Sequence, residues 1–305
     1  MDMHVPHALL QAAQRVPGSG IDDFFCSAQL SATYSRADRA VWLRMRPQPR
    51  PSFNPELLRD LGTYCQLLES TGGEFAASDG LSPIEYVVLA SAVPGVFNLG
   101  GDLSLFMRLI ETRDREGLAR YGRACCSVLH SNYIGHGIPA MTISLVQGEC
   151  LGGGFEAALS SDLIVAERSA RFGFPEILFN LFPGMGAYSF LERRVGRKQA
   201  ENLITSGKIY PACDMLEAGI VDVLVDDGAG ESAVSEHIER SRRSRNGLLG
   251  LARARRRVGR LDLDELVDVV DIWVESALAL GTRDLRLMQR LVTRQDGVGK
   301  GDVLH

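Results

Sequence analysis

GECLGGGFEAALSSDLIVAE, residues 148–167, is the stretch whose reading decides this chain. It follows an apolar run, Met141–Gln147, that reads as a buried strand, and its order is glycine turn, helix, strand. The triplet Gly152–Gly154 lacks Cβ atoms, so a ligand can approach the backbone there, and the first N–H groups of the following helix have no intrahelical partner. A tight structural turn or a phosphate loop would need the same glycines, although no Lys-Ser/Thr follows them as in a phosphate loop. Glu156 sits in the first helical turn among small and apolar residues, either as a charge favoured by the helix dipole or as a reactive carboxyl. Glu176, in FPEIL, reads either as a surface residue opening a helix after Pro175 or as a second reactive carboxyl.

Outward from this stretch, residues 1–25 show no sustained periodicity and read as a mobile lead-in, with the sheet starting near AVWLRMR (40–46). A helix is predicted over Pro55–Ser70 and a buried strand over EYVVLAS (85–91). After the pair Gly100–Gly101 a helix capped by Asp102 is expected, and helical stretches over 102–110 and 115–130. A further helix is expected from Tyr188 to Val195. Strand signals end near Asp227. From Glu231 apolar positions recur at helical spacing, through Leu266, Val270 and Trp273. The domain reading is therefore a lead-in over 1–25, an α/β catalytic core of stacked ββα units over 26–230, and a helical region over 231–305. That region is too small to bury a core alone, so it should pack on the core or on a neighbouring subunit.

With 305 residues, 45% of them hydrophobic and 23% charged, the chain can bury one sizeable core. Its net charge of −5 argues against an extended nucleic-acid surface. The six cysteines have no C-x-x-C spacing and read as reduced, mostly buried thiols, and no His/Cys or carboxylate cluster suggests a metal. The N-terminus has no cationic segment leading into a long apolar run, and no apolar stretch is long enough to span a bilayer, so a cytoplasmic protein is expected. His130 and His136 read as structural.

FNLGGDL (97–103), GECLGGGFEAALSSDLIVAE (148–167) and FGFPEILFNLFPGMGA (172–187), in that order and spacing, resemble the crotonase, or enoyl-CoA hydratase/isomerase, superfamily. The resemblance implies a spiral of ββα units with a C-terminal helical trimerisation region, hence a homotrimer or dimer of trimers. It implies an oxyanion hole from the N–H groups of Gly101 and Gly153, with Gly100 as the neighbouring alternative, and a catalytic pair Glu156 and Glu176. No cofactor is implied. An acyl pocket would draw on residues in or beside these strings, among them Leu99, Leu151, Phe155, Phe174, Leu178 and Met185, some of which should be ordinary core.

The longer strings VFNLGGDLSLF, SLVQGECLGGGFEAALS, PEILFNLFPGMGAYSF and IWVESALALG are similar to the diffusible signal factor synthases. That resemblance implies dehydration of a 3-hydroxyacyl thioester on acyl carrier protein to a cis-2-enoyl thioester, then hydrolysis to a free unsaturated fatty acid signal. Coenzyme A is the alternative carrier, and a membrane sensor protein is a further implied partner. Two other readings stay open: an ordinary trans-enoyl-CoA hydratase, and a non-catalytic acyl-binding or sensor-regulating module. Nine arginines between Arg240 and Arg260 read as a solvated helix face or as a docking patch for the acidic carrier protein.

Overall fold

The computed structural model describes residues 21–77 and 80–298. Strands form where β-branched and aromatic residues run together, and among the described residues they make two sheets of the core and a separate two-stranded hairpin, Glu74–Ala77 with Gly80–Pro83. The larger has seven strands in the order Ile21–Cys26, Leu30–Ser35, Ala40–Met45, Tyr86–Ser91, Met141–Val146, Leu163–Glu167, Val223–Val225. The first three are antiparallel neighbours, and from Ala40–Met45 onward the pairing is parallel. The smaller sheet has the order Ile209–Pro211, Arg171–Gly173, Glu149–Leu151, Val96–Asn98.

Three central strands of the large sheet hand the chain to a short strand of the small one and then to a helix. Tyr86–Ser91, Val96–Asn98 and Leu103–Glu111 make one such turn, and Met141–Val146, Glu149–Leu151 and Gly153–Leu159 make the next. The α/β spiral of ββα units with C-terminal helices is therefore the observed fold. Parallel strands covered on both faces must be apolar throughout, and Tyr86, Val87, Val88, Leu89 and Ala90 are all buried.

The helix Pro55–Ser70 spans the residues expected of it, started by Asn54, whose side chain accepts from the Leu57 N–H, and by Pro55 at the first helical position. Asp102 caps Leu103–Glu111 through the Leu105 N–H at 3.1 Å. One expectation is corrected: among the described residues the sheet starts at Ile21, not near Ala40. Ile21–Cys26 is an edge strand with a register shift between Asp23 and Phe25, which breaks the period-2 alternation that reveals a strand in sequence. Residues 1–20 of the expected lead-in lie outside the described residues.

The helices after Gly230 pack back on the core. Helix Leu263–Leu278 lies against Arg115–Tyr133, burying Leu266, Val270, Trp273, Val274 and Ala277. Helix Arg245–Val258 buries only Ala252, and charge fastens it: Arg255 and Arg256 both pair with the buried Asp162 carboxylate. Part of the arginine run is therefore a structural bridge. Arg253 and Arg257 are exposed and make no ion pair among the described residues. No described helix is long and apolar enough to cross a membrane. Cys65, Cys125, Cys126 and Cys150 are buried, Cys26 and Cys213 exposed, and all six are free thiols.

Candidate active site

Two glycine turns meet where the small sheet ends. At the first, Asn98 is fully buried and its Oδ1 accepts the Gly100 N–H at 2.8 Å. The Phe53 N–H donates to the Gly100 carbonyl at 2.8 Å, the Leu99 N–H to the Pro51 carbonyl at 2.7 Å, and the Asp102 N–H to the Tyr121 hydroxyl at 3.3 Å. The Tyr121 hydroxyl itself donates to the Phe53 carbonyl at 2.5 Å. These bonds use every N–H from Leu99 to Asp102 except that of Gly101. Gly100, the alternative donor, is thus committed to Asn98, and Gly101 is left to face the cavity.

At the second turn the Gly152 N–H donates to the Gly173 carbonyl at 2.9 Å, while Gly153 is the first residue of helix Gly153–Leu159 and its N–H has no intrahelical acceptor. The turns approach so closely that a Cβ on Gly100 would lie 2.8 Å from the Gly153 nitrogen. Gly152 has φ +51°, a conformation that favours glycine, and a Cβ there would displace the Glu176 carboxyl.

The Glu156 carboxyl is buried at the far end of this turn. Its Oε1 accepts the Met185 N–H at 2.7 Å and the Ala187 N–H at 2.8 Å, the latter opening helix Ala187–Val195. Burial raises its pKa to about 7, against the lowering effect of those N–H groups. Glu176 follows Pro175 in the one-turn helix Pro175–Phe179. Its Oε2 is buried with no hydrogen-bond partner among the described residues. Burial, and then the Glu156 charge, raise its pKa to about 8. The pair titrates in coupled steps, and the two backbone N–H groups on Glu156 favour its charged form over that of Glu176.

Linkage gives this a sign. Both carboxyls bind protons more tightly in the folded than in the unfolded chain, so their contribution to stability is fully present below about pH 4.5 and is lost as pH rises through about 7 and 8. Glu176→Gln cannot ionise. Its melting temperature relative to the native chain should rise between pH 6 and pH 9, by on the order of a few °C, measured by thermal unfolding in matched buffers. An unchanged difference would show that Glu176 is not a raised, buried acid.

Glu156, Glu176, Gly101 and Gly153 line one cavity of about 940 Å³. Of the residues expected to form an acyl pocket, Leu99, Leu151 and Met185 line it. Phe155 and Phe174 do not: helix Gly153–Leu159 is buried on every side, and these rings stack on each other beneath it at 4.8 Å. Leu178 is 56% exposed and lies against Gly207. The wall missing from the sequence reading is Phe106, Tyr121 and Trp273, with Phe106 set edge-on to Tyr121 at 4.9 Å and to Trp273 at 5.1 Å. Trp273 stood in the tail's apolar periodicity, which marks a core face and says nothing about a cavity. His136 is buried and bonded to Ser131 and Asn132, His130 bonds the Leu261 carbonyl, and neither lines the cavity. No cluster of His, Cys, Asp or Glu able to hold a metal occurs among the described residues.

A family model described as enoyl-CoA hydratase/isomerase matches residues 46–247. The chain is 33% identical over 154 residues to the fatty acid oxidation complex subunit alpha of Pseudomonas savastanoi pv. phaseolicola, a match covering 50% of this chain and 21% of that much longer protein. It is 28% identical over 204 residues to a probable enoyl-CoA hydratase of Mycobacterium leprae, covering 65% of this chain and 71% of that one. In fold it is similar to human mitochondrial delta3-delta2-enoyl-CoA isomerase, with a TM-score of 0.69 at 20% identity over 87% of this chain and 97% of the other.

Proposed function

Because the chain belongs to the enoyl-CoA hydratase/isomerase family, we propose that it adds and removes water across the C2–C3 bond of a fatty acyl thioester, using Glu156 and Glu176 as its proton-transfer pair. The observation that carries this reading is the asymmetry of the pair. One carboxyl is held by two backbone N–H groups, the other has a buried oxygen without a partner among the described residues, and both line the cavity that Gly101 and Gly153 also line.

In the direction of water addition the resting proton distribution is the reactive one. Glu156 takes a proton from water as it attacks C3, the electrons pass to the thioester oxygen to form an enolate, and Glu176 delivers its proton to C2. The Gly101 and Gly153 N–H groups hold the enolate oxygen, whose negative charge is strongest in the transition state. Elimination is the exact reverse. It starts from the tautomer with the proton on Glu156, which reaches the departing C3 hydroxyl while Glu176 takes the C2 proton.

The physiological direction we propose is elimination, from a 3-hydroxyacyl thioester on acyl carrier protein to a cis-2-enoyl thioester, followed by hydrolysis to the free cis-2-unsaturated fatty acid. The strings similar to diffusible signal factor synthases support it, as does an apolar cavity with room for a fatty chain. Water attacking the thioester carbonyl would place its oxyanion on the same two N–H groups, and collapse would expel the carrier thiol. Hydrolysis removes the enoyl product and so draws the reversible elimination forward.

The proposed carrier docks through charge, and the exposed arginines of the run without an ion pair among the described residues are Arg240, Arg243, Arg253 and Arg257, since Arg255 and Arg256 hold Asp162. A homotrimer and a membrane sensor partner remain proposals from the resemblance. The test incubates the protein with 3-hydroxyacyl-acyl carrier protein and identifies the product by mass spectrometry and double-bond geometry. A free cis-2-enoic acid is expected. A trans-enoyl product still on its carrier, or turnover of coenzyme A thioesters alone, would return the function to an ordinary hydratase.

A further inference from the structure

The C-terminal helix Thr282–Val298 packs against helix Leu103–Glu111 and the Pro175–Phe179 turn, and its Leu291, Thr293 and Gln295 form part of the cavity wall. Gln295 is 6% exposed. Its Nε2 donates to the Leu99 carbonyl at 3.1 Å and to the Gly101 carbonyl at 3.4 Å. Two carbonyl acceptors fix which end of the amide is nitrogen. Its Oε1 is buried with no partner among the described residues, an arrangement unfavourable in itself. The side chain therefore meets the glycine turn through its donor end alone.

We propose that Gln295 is a positioning residue for the oxyanion hole, which makes the C-terminal helix part of the catalytic apparatus. Peptide units are rigid planes, so holding a carbonyl also holds the N–H on the far side of the same plane. The Gly101 N–H shares its plane with the Gly100 carbonyl, already held by the Phe53 N–H. The planes on either side have their N–H ends bonded to Asn98 and to the Tyr121 hydroxyl, and Gln295 grips their carbonyl ends, those of Leu99 and Gly101. Gly100 has φ +90° and no Cβ, so its own sterics restrain these planes weakly. Fixing three successive planes removes that freedom and keeps the Gly101 N–H aimed before substrate arrives. The proposal rests on the reading of Gly101 as the donor to the thioester oxygen.

Gln295→Met keeps most of the volume and deletes the amide. In thioester turnover it should lower kcat ten- to a hundredfold with KM within about twofold, because the interaction lost is with the enolate. Gln295→Glu separates positioning from packing. Its carboxylate is repelled by the two carbonyls, whereas its protonated form restores one donor, so its turnover relative to the Met variant should rise as pH falls. Hydrogen exchange in peptides spanning residues 97–105 provides a readout independent of turnover, with faster exchange expected in Gln295→Met at an unchanged melting temperature. Unchanged exchange, or faster exchange with unchanged kcat, would overturn the proposal. Absence of turnover by the native chain on every acyl thioester would instead defeat the proposed function, leaving the exchange result to decide whether Gln295 positions the turn.

Discussion

Glu156→Gln and Glu176→Gln should each lower the rate of water addition to an enoyl thioester by about 10²–10⁴-fold, the usual range for a lost general acid or base. Each substitution keeps the shape of the side chain and removes the ability to exchange a proton. They should differ in their neighbours. In Glu156→Gln the amide must place its carbonyl oxygen where Oε1 accepts from Met185 and Ala187, leaving its NH₂ toward the cavity. In Glu176→Gln the change falls on a carboxyl whose charged form is disfavoured by burial and by the Glu156 charge, so the fold should accept it readily.

The pH profile carries the same logic. Activity requires one proton on the pair, so the native rate should fall on both sides of the interval between about 7 and 8, with each single variant losing this two-sided dependence. Stopped assays on both variants against pH, with melting temperatures alongside, would check it. A Glu156→Gln protein with more than a tenth of native turnover would remove the carboxyl pair from the mechanism.

The second large effect is expected at Gly153. Proline is tolerated at the first helical position, where the N–H has no intrahelical role, so Gly153→Pro deletes one oxyanion donor where the helix least needs it. Losing such a donor typically costs about 10²–10³ in kcat. The steric control is Gly153→Ala, because any Cβ here meets the Met185 sulfur at 2.4 Å, which a flexible methionine can relieve by moving. The alanine variant should therefore keep most of the activity that the proline variant loses. Equal losses in both would mean that cavity shape, and not the N–H, is what Gly153 supplies.

The candidate residues that the structure brings to one cavity, Gly101, Gly153, Glu156 and Glu176, were named through the joint resemblance of three strings. The glycine turns and the Glu156 carboxyl stand out within a few residues as candidates, each with a structural reading beside it until three separated strings together resemble one family, whereas Asp102 before Leu103–Glu111 reads as a cap by itself. What separates Gly101 from Gly100 was not legible, since it depends on Asn98, Pro51, Phe53 and Tyr121 converging on one turn. Nor could sequence divide the apolar residues of the catalytic strings between cavity and core. Phe155 and Leu151 lie four residues apart, yet one is stacked beneath the helix and the other faces the cavity. The edge strand Ile21–Cys26 was hidden by its register shift, and the role of the arginine run changed once the buried Asp162 was seen to claim two of its members.

The central claim is that the four groups around this cavity make and quench an enolate at C2 of an acyl thioester. Deuterium uptake tests it without reference to carrier, chain length or double-bond geometry. A 3-hydroxyacyl thioester incubated with the protein in deuterated water should acquire deuterium at C2, read by mass spectrometry, and the uptake should be lost in Glu176→Gln and strongly slowed in Gly153→Pro. A native protein that binds the thioester yet leaves C2 unlabelled, or a Glu176→Gln variant that labels it at the native rate, would contradict the account.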